Sequence, residues 1–138
     1  MTKVLVVVGA LMALSGVALA EGQCDKRCEL GKQLVEESAR VDNMGVKTGE
    51  VSYSDGRMFV QVLAYGENAD AMYRQLMSDP LKHELAKQMT TQDVSKGVCG
   101  SQLFREFLAA GGSVRQEIRL QRDGLVFYDN VITACPRA

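Results

Sequence analysis

The 138-residue sequence is poor in the residues and motifs on which most enzymes depend. Its single histidine, His83, stands between Lys82 and Glu84 in a helical pattern and is expected at the surface rather than in acid–base chemistry. The sequence contains no serine nucleophile elbow, no His-Glu-x-x-His zinc motif and no glycine-rich phosphate loop. These absences argue against the common hydrolase, metalloprotease and nucleotide-binding classes. They predict a protein that is not an enzyme and holds no cofactor.

The sequence also lacks an excess of either charge. Its 16 basic residues nearly balance its 17 acidic ones, so the formal net charge is −1. Nucleic-acid binding needs a basic surface that releases counterions from phosphates, and this composition argues against such a partner. After the first 20 residues no apolar run is long enough to span a membrane. A lipid anchor is not expected, because Glu21, Gly22 and Gln23 precede Cys24 where a lipoprotein signal has small apolar residues.

The start of the chain carries an export signal. Lys3 supplies a positive charge, residues 4–14 form an apolar core, and residues 18–20 form an Ala-x-Ala cleavage site. Residues 1–20 are therefore predicted to be a signal peptide. Removing them from 138 residues leaves 118, which fits one domain spanning residues 21–138. Such a signal suits a Gram-negative bacterium, with the mature protein in the periplasm or secreted, where cysteines form disulfide bonds.

The pattern in the first half of the mature chain predicts a helix followed by a hairpin. Helical spacing of apolar residues runs from Cys24 to about Asn43, and Gly45 is a natural C-terminal stop. Two apolar runs, residues 46–53 and 58–65, then flank an Asp-Gly turn signal at residues 55–56.

Three helical segments are predicted next. Asn68 is expected to cap the first, and Asp79 followed by Pro80 the second, while residues 90–93 resemble a capping box for a short turn. A last helix, over residues 103–108, ends at a Gly-Gly pair. The apolar residues expected to face the core from the first two segments are Ala69, Met72, Leu76, Met77, Leu81, Leu85 and Met89.

The chain finishes with a second hairpin around Asp123-Gly124. Residues 114–121 alternate between apolar and polar, which is the period of a half-buried strand, and residues 125–134 form its partner. The fold class expected is α+β, in a single domain. Two antiparallel hairpins would form one four-stranded sheet packed against about four helices.

Four cysteines allow three disulfide pairings, and we favour the local one. Cys99 and Cys135 bracket the last helix and hairpin, and their bond would be worth on the order of 3–4 kcal/mol. Cys24 and Cys28 would then pair across one turn of the first helix, which requires that the helix end there be frayed. The alternative joins Cys28 to Cys99 and Cys24 to Cys135. Both arrangements give the cysteines a structural role.

The alternative to a structural role is that Cys24 and Cys28 form a redox pair or bind a metal. Reactive pairs are usually Cys-x-x-Cys at a helix start, and here three residues separate the two thiols, although Lys26 and Arg27 would favour a thiolate. A zinc site would need more nitrogen or sulfur ligands than the chain offers. Asp123 and Asp129 do not form a ligand-dense calcium loop.

The methionines and the aromatic residues are both expected to contribute to the core, and some aromatic residues could also bind a partner. The methionines, which in an exported protein could suggest copper, fall at core-like positions and are expected to pack: Met44, Met58, Met72, Met77 and Met89. The aromatic residues alternate along the predicted strands, so some must point away from the core. An exposed subset of Tyr53, Phe59, Tyr65, Phe127 and Tyr128 would form a protein-binding patch.

The C-terminal forty residues resemble a known family. The resemblance rests on Cys99, residues 103–108, the glycines at 111–112, the turn at 121–124 and the final Cys135. The family consists of small secreted or periplasmic proteins of Gram-negative bacteria described as quorum-sensing-regulated virulence factors. It implies a mixed α/β fold and self-association, so a homodimer is one expected state. It transfers no catalytic residues.

The sequence therefore predicts an exported, non-enzymatic protein that acts by protein–protein interaction, with an unnamed protein partner and an association with virulence. A second hypothesis is a thiol–disulfide redox protein that uses Cys24 and Cys28. A third is a small enzyme inhibitor.

Overall fold

A computed structural model describes residues 24–136 of the protein. The predicted signal peptide, residues 1–20, lies outside the described residues. In chain order the elements are α1 (Lys26–Glu37), β1 (Asp42–Asn43), β2 (Val46–Ser54), β3 (Arg57–Ala64), α2 (Glu67–Met77), α3 (Pro80–Cys99), α4 (Gln102–Ala109), β4 (Ser113–Leu120) and β5 (Val126–Ile132).

The α+β class is confirmed, but the predicted four-stranded sheet is wrong in number and direction. Within residues 24–136 the sheet has five strands in the order β1-β2-β3-β4-β5. The two predicted hairpins are present, as β2–β3 and β4–β5, yet β3 and β4 join them in parallel. Residues 65–112, which include three helices, lie between these two strands and return the chain to the same end of the sheet. Hairpin signals cannot reveal such a long-range parallel pair.

The fifth strand arises where the sequence predicted helix. The first helix ends at Glu37, because Ser38 is extended and its hydroxyl donates a hydrogen bond to the Leu34 carbonyl at 2.6 Å. Asp42 and Asn43 then pair with β2. Met44 and Gly45 form the turn, with φ of 56° and 81°. The positive φ expected at Gly45 is present, but it closes a hairpin instead of ending a helix.

Helix boundaries agree with the sequence where a side-chain cap decides them. Asp79 caps α3 as predicted, accepting from the backbone N–H of Leu81 at 3.0 Å. The cap of α2 is Gly66 rather than Asn68. The capping box predicted at residues 90–93 is wrong, since α3 continues to Cys99 and the Thr90 hydroxyl bonds the Ala86 carbonyl within the helix at 2.8 Å.

The main core lies between one face of the sheet and the helices. Its largest side chains that are essentially removed from solvent are Phe107, Met58 and Val114, while Leu120 lies in a separate cluster with Ala64 and Ala69. Leu30 and Leu34 of α1 and Val98 of α3 join the cluster around Met58 and Phe107. A bulge in β5 places the neighbouring side chains of Phe127 and Tyr128 in one buried cluster near the end of the sheet.

Several predicted core positions are exposed instead. Leu81, Leu85 and Met89 are 82 %, 57 % and 57 % exposed, and Met44 and Met72 are exposed as well. The three residues of α3 form an i, i+4, i+8 stripe on one side of the helix. The opposite side carries Thr91, whose hydroxyl bonds that of Tyr128, and it faces the sheet. The prediction from apolar spacing that this side of α3 faces the core is therefore wrong.

The second face of the sheet carries a polar network centred on Glu117. This carboxylate is only 2 % exposed, and its oxygens accept from the Arg119 guanidinium at 2.8 and 2.9 Å and from the Gln61 amide at 3.0 Å. Hydrogen bonding to Arg119 lowers the pKa of Glu117, against the effect of burial. Arg115 forms a two-point pair with Asp129 on the same face. No described helix is long and apolar enough to cross a membrane.

Candidate protein-binding groove

The four cysteines are joined as two local pairs. Cys24 is bonded to Cys28 at the start of α1, and Cys99 is bonded to Cys135, tying the end of α3 to the segment after β5. Cys24 precedes the first helical residue, so only Cys28 of that pair is helical, and Asp25 accepts a hydrogen bond from its N–H at 2.9 Å. The first bond therefore closes a short loop at the start of α1, and the second joins two distant parts of the chain. A structural role for both stays a prediction.

Other residues considered from the sequence have structural contacts. His83 is half-buried rather than on the surface: its Nε2 lies 2.9 Å from the Phe127 carbonyl oxygen, and its ring packs on that of Phe127. Asp123 pairs with Arg74 at 3.0 Å, and hydrogen bonding to that guanidinium lowers its pKa. Among the described residues, no group of three or more acidic, histidine or cysteine side chains is placed to hold a metal ion.

The predicted aromatic patch does not form. Tyr53 packs against Phe107 in the core, and Phe127 and Tyr128 are buried. Phe59 lies half-buried on the polar face beneath the Arg115 guanidinium, and Tyr65, 43 % exposed, lies beneath the Lys47 ammonium. Cations cover the two outward rings.

The structure instead forms a groove on the helical side of the sheet, with a volume of about 470 Å³. Its floor is formed by the strands, with Val51, Val60 and Val114. One wall is formed by α3 and α4, with Val94 and Phe104, while the end of α1 borders the other side. Several of these side chains are half-buried members of the main core. The groove is therefore an opening into the edge of the core.

Two local features of the sequence keep the groove open. The first is the early end of α1 at Glu37, after which the extended Ser38 and its neighbour Ala39 line the rim. The second is Gly97 on the groove-facing side of α3. A Cβ at this position would meet no atom within 4 Å, so the missing side chain leaves free space. Glycine in a helix interior destabilises the helix by about 1 kcal/mol relative to alanine, and at Gly97 no neighbouring atom requires this residue.

The rim of the groove is acidic. Glu37 and Asp93 are both exposed there, and no described lining side chain is cationic. Ser38, Thr48 and Gln116 supply the remaining polar groups. An apolar floor with two carboxylates at its margin can bury apolar side chains and attract basic ones.

Sequence reasoning did not find this groove, because its lining comes from α1, α3, α4 and three strands. Gly97 was the available signal, but glycine in a helical pattern is also typical of a helix end. The structure places it inside α3, whereas Gly100 is the C-cap.

Two solved structures share the fold. A Pseudomonas aeruginosa protein described as secreted aligns over 77 % of this chain and 84 % of its own, with a TM-score of 0.55 and 11 % identity. The Vibrio vulnificus pilotin EpsS of the type 2 secretion system aligns over 81 % and 90 %, with a TM-score of 0.51 and 18 % identity. No protein-family model and no curated protein matches the chain. The likeness shows a common fold.

Proposed function

We propose that this chain is an exported, non-enzymatic protein that binds a partner protein in the groove between α1 and α3. Export to the periplasm or beyond the cell is supported by the predicted signal peptide, the two disulfides and the fold shared with a secreted protein. The fold shared with a pilotin directs the search for partners to proteins of secretion assemblies. Membership of the quorum-sensing-regulated virulence family is part of this proposal.

The observation that carries the proposal is the open groove with an apolar floor and an acidic rim. Val51, Val60 and Val94 line it and are only half-buried. Burying such side chains against a partner contributes about 25 cal/mol per Å² of apolar surface. The occupant we propose is a short amphipathic helix, with apolar side chains toward the floor and Lys or Arg beside Glu37 and Asp93.

The test fills the groove from Gly97. Gly97→Leu places a side chain into the free space and removes the helix-interior glycine, so the fold should be at least as stable. Lys96→Leu is the matched control, because Lys96 is the adjacent exposed residue and does not line the groove. The probe is a synthetic amphipathic helix with a leucine face flanked by lysines, titrated into the mature protein by calorimetry.

We expect saturable binding that Gly97→Leu weakens at least tenfold and Lys96→Leu leaves within about twofold, where tenfold corresponds to about 1.4 kcal/mol. Replacing the lysines of the probe by glutamates should abolish binding. In the producing bacterium, a photo-crosslinking residue at position 97 should trap one protein that the same residue at position 96 does not. Equal affinity of both variants for the probe, or identical crosslinks, would contradict the proposal.

A further inference from the structure

The strand β5 has backbone groups without partners along its outer side. It is the last strand of the sheet and pairs with β4 alone. Successive N–H groups at the end of β4 point to opposite neighbours. That of Leu120 donates to the Leu125 carbonyl at the start of the β5 side, and that of Gln121 donates to the Ala64 carbonyl on the β3 side. By this alternation the backbone groups of Gln116 point to β5, and its partner Asn130 points back to β4. The residues on either side, Asp129 and Val131, therefore direct their N–H and C=O groups away from the sheet. The register with β4 therefore leaves these four groups unused by the sheet pairing.

The helix α3 overhangs this edge. His83 reaches the Phe127 carbonyl, which points outward like those of Asp129 and Val131, and so fixes the helix beside the strand. Beyond that contact, one side of α3 and the edge of β5 border a second, open cavity of about 450 Å³. Gln88, Thr91 and Gln92 line it from the helix, and Asn130 from the strand.

This cavity is separate from the proposed groove. Asp93 and Val94 line the groove from one side of α3, whereas the cavity uses the side that carries Gln88 and Gln92. The two lining sets share no residue. A ligand in one site therefore does not occupy the other.

The charges around the cavity are internally paired. Glu84 contacts Lys87 at 3.4 Å, and Asp129 is held by Arg115 at 2.7 Å. The polar groups left to contact a ligand are amides and hydroxyls. On the other face of the sheet, next to the same edge, Val131 is 51 % exposed.

We propose that an extended peptide segment of a partner protein adds to β5 as a sixth strand, under α3. Its alternate N–H and C=O groups would bond those of Asp129 and Val131, which is the chemistry of β-strand addition. Because side chains alternate between the faces of a strand, the segment would carry uncharged polar side chains toward Gln88 and Thr91. Its intervening side chains would be apolar and would lie beside Val131.

A second copy of β5 fits this edge less well than a peptide. A peptide meets only one overhanging helix, whereas a second copy would bring its own α3, held beside β5 by His83, to the same edge. An exposed strand edge also invites uncontrolled aggregation, and an overhanging helix is one device that limits access to it.

The probe is a capped peptide of about eight alternating threonine and valine residues, long enough for one strand. Two further versions carry N-methyl groups on alternate residues, one set on each edge of the peptide strand. We expect one set to abolish binding and the other to have little effect, because only one edge of the added strand bonds β5. Binding of both sets alike, or no binding of the parent peptide at millimolar concentration, would overturn the proposal.

Val131→Pro removes one outward N–H that the β4 pairing does not use, which a strand edge tolerates. We expect it to lower the affinity for the peptide at least tenfold. The control Val131→Ala, which keeps the N–H, should change that affinity by no more than about threefold. Hydrogen exchange of the unaltered protein gives a second measurement. Bound peptide should slow the exchange of the backbone amide hydrogens of Asp129 and Val131. Unchanged exchange, or peptide-induced dimers without this protection, would refute strand addition. Gly97→Leu should not change peptide affinity, so this test and that of the groove fail separately.

Discussion

The two disulfides should stabilise the protein by clearly different amounts. The Cys99–Cys135 bond joins residues 36 apart, and the Cys24–Cys28 bond joins residues 4 apart. Restricting the unfolded chain by loops of these lengths gives about 4 kcal/mol for the first bond and about 2 kcal/mol for the second. The half-buried sulfurs of Cys99 and Cys135 also pack against the main core, which adds to the difference. A domain of this size is stable by about 5–15 kcal/mol in all, so the long-range bond is a large share of the total.

The assay is urea unfolding of the mature protein and of two double variants, one with both Cys24 and Cys28 changed to alanine, the other with Cys99 and Cys135. With an m-value near 2 kcal/mol/M, the difference of about 2 kcal/mol separates the two unfolding midpoints by about 1 M. Removing the longer loop should also raise the m-value, because the unfolded chain becomes less compact. The protein with both bonds reduced is the control. Equal losses, or a larger loss from the short loop, would refute the loop-closure reasoning.

Three further predictions concern the disulfide chemistry, a charge and a cap. If both disulfides are structural, equilibration with thiol buffers should place both reduction potentials near or below −300 mV; a value between about −200 and −120 mV for the bond at the start of α1 would indicate redox chemistry instead. Because bonding to Arg119 lowers the pKa of Glu117, its stabilising contribution should be complete at neutral pH and decline as pH falls below the unfolded value of about 4.3; the unfolding free energy of Glu117→Gln should show a weaker decline over that range. Asp79→Ala should destabilise the protein by about 1 kcal/mol, whereas Asp79→Asn, which keeps a cap, should cost less than half of that in thermal unfolding.

The correct sequence predictions are those decided by a few neighbouring residues. Asp55 and Gly56 adopt the positive φ values that a two-residue hairpin turn requires, and Asp79 with Pro80 begins α3 as expected. In each case the deciding interaction spans at most three residues. The α+β class follows from the same local signals, because helical and alternating patterns differ in period.

Apart from two helix caps, the incorrect predictions concern what each element packs against or pairs with. Leu81, Leu85 and Met89 have ideal helical spacing, yet α3 turns its other side to the sheet because Thr91 and His83 bond to β5 there. Gly97 is a stop signal by residue type and an interior residue in fact. The orientation of α3 depends on partners distant in sequence.

The sequence by itself determined the local elements, the turn residues and the resemblance of the C-terminal region to exported proteins, since these depend on short-range sterics, hydrogen bonds and composition. Tertiary structure alone decided the parallel pairing of β3 with β4, the fifth strand, the buried network at Glu117 and both cavities beside α3. The physical reason is that each of these joins segments far apart in the chain, where packing and long-range hydrogen bonds, and not local preference, select the arrangement.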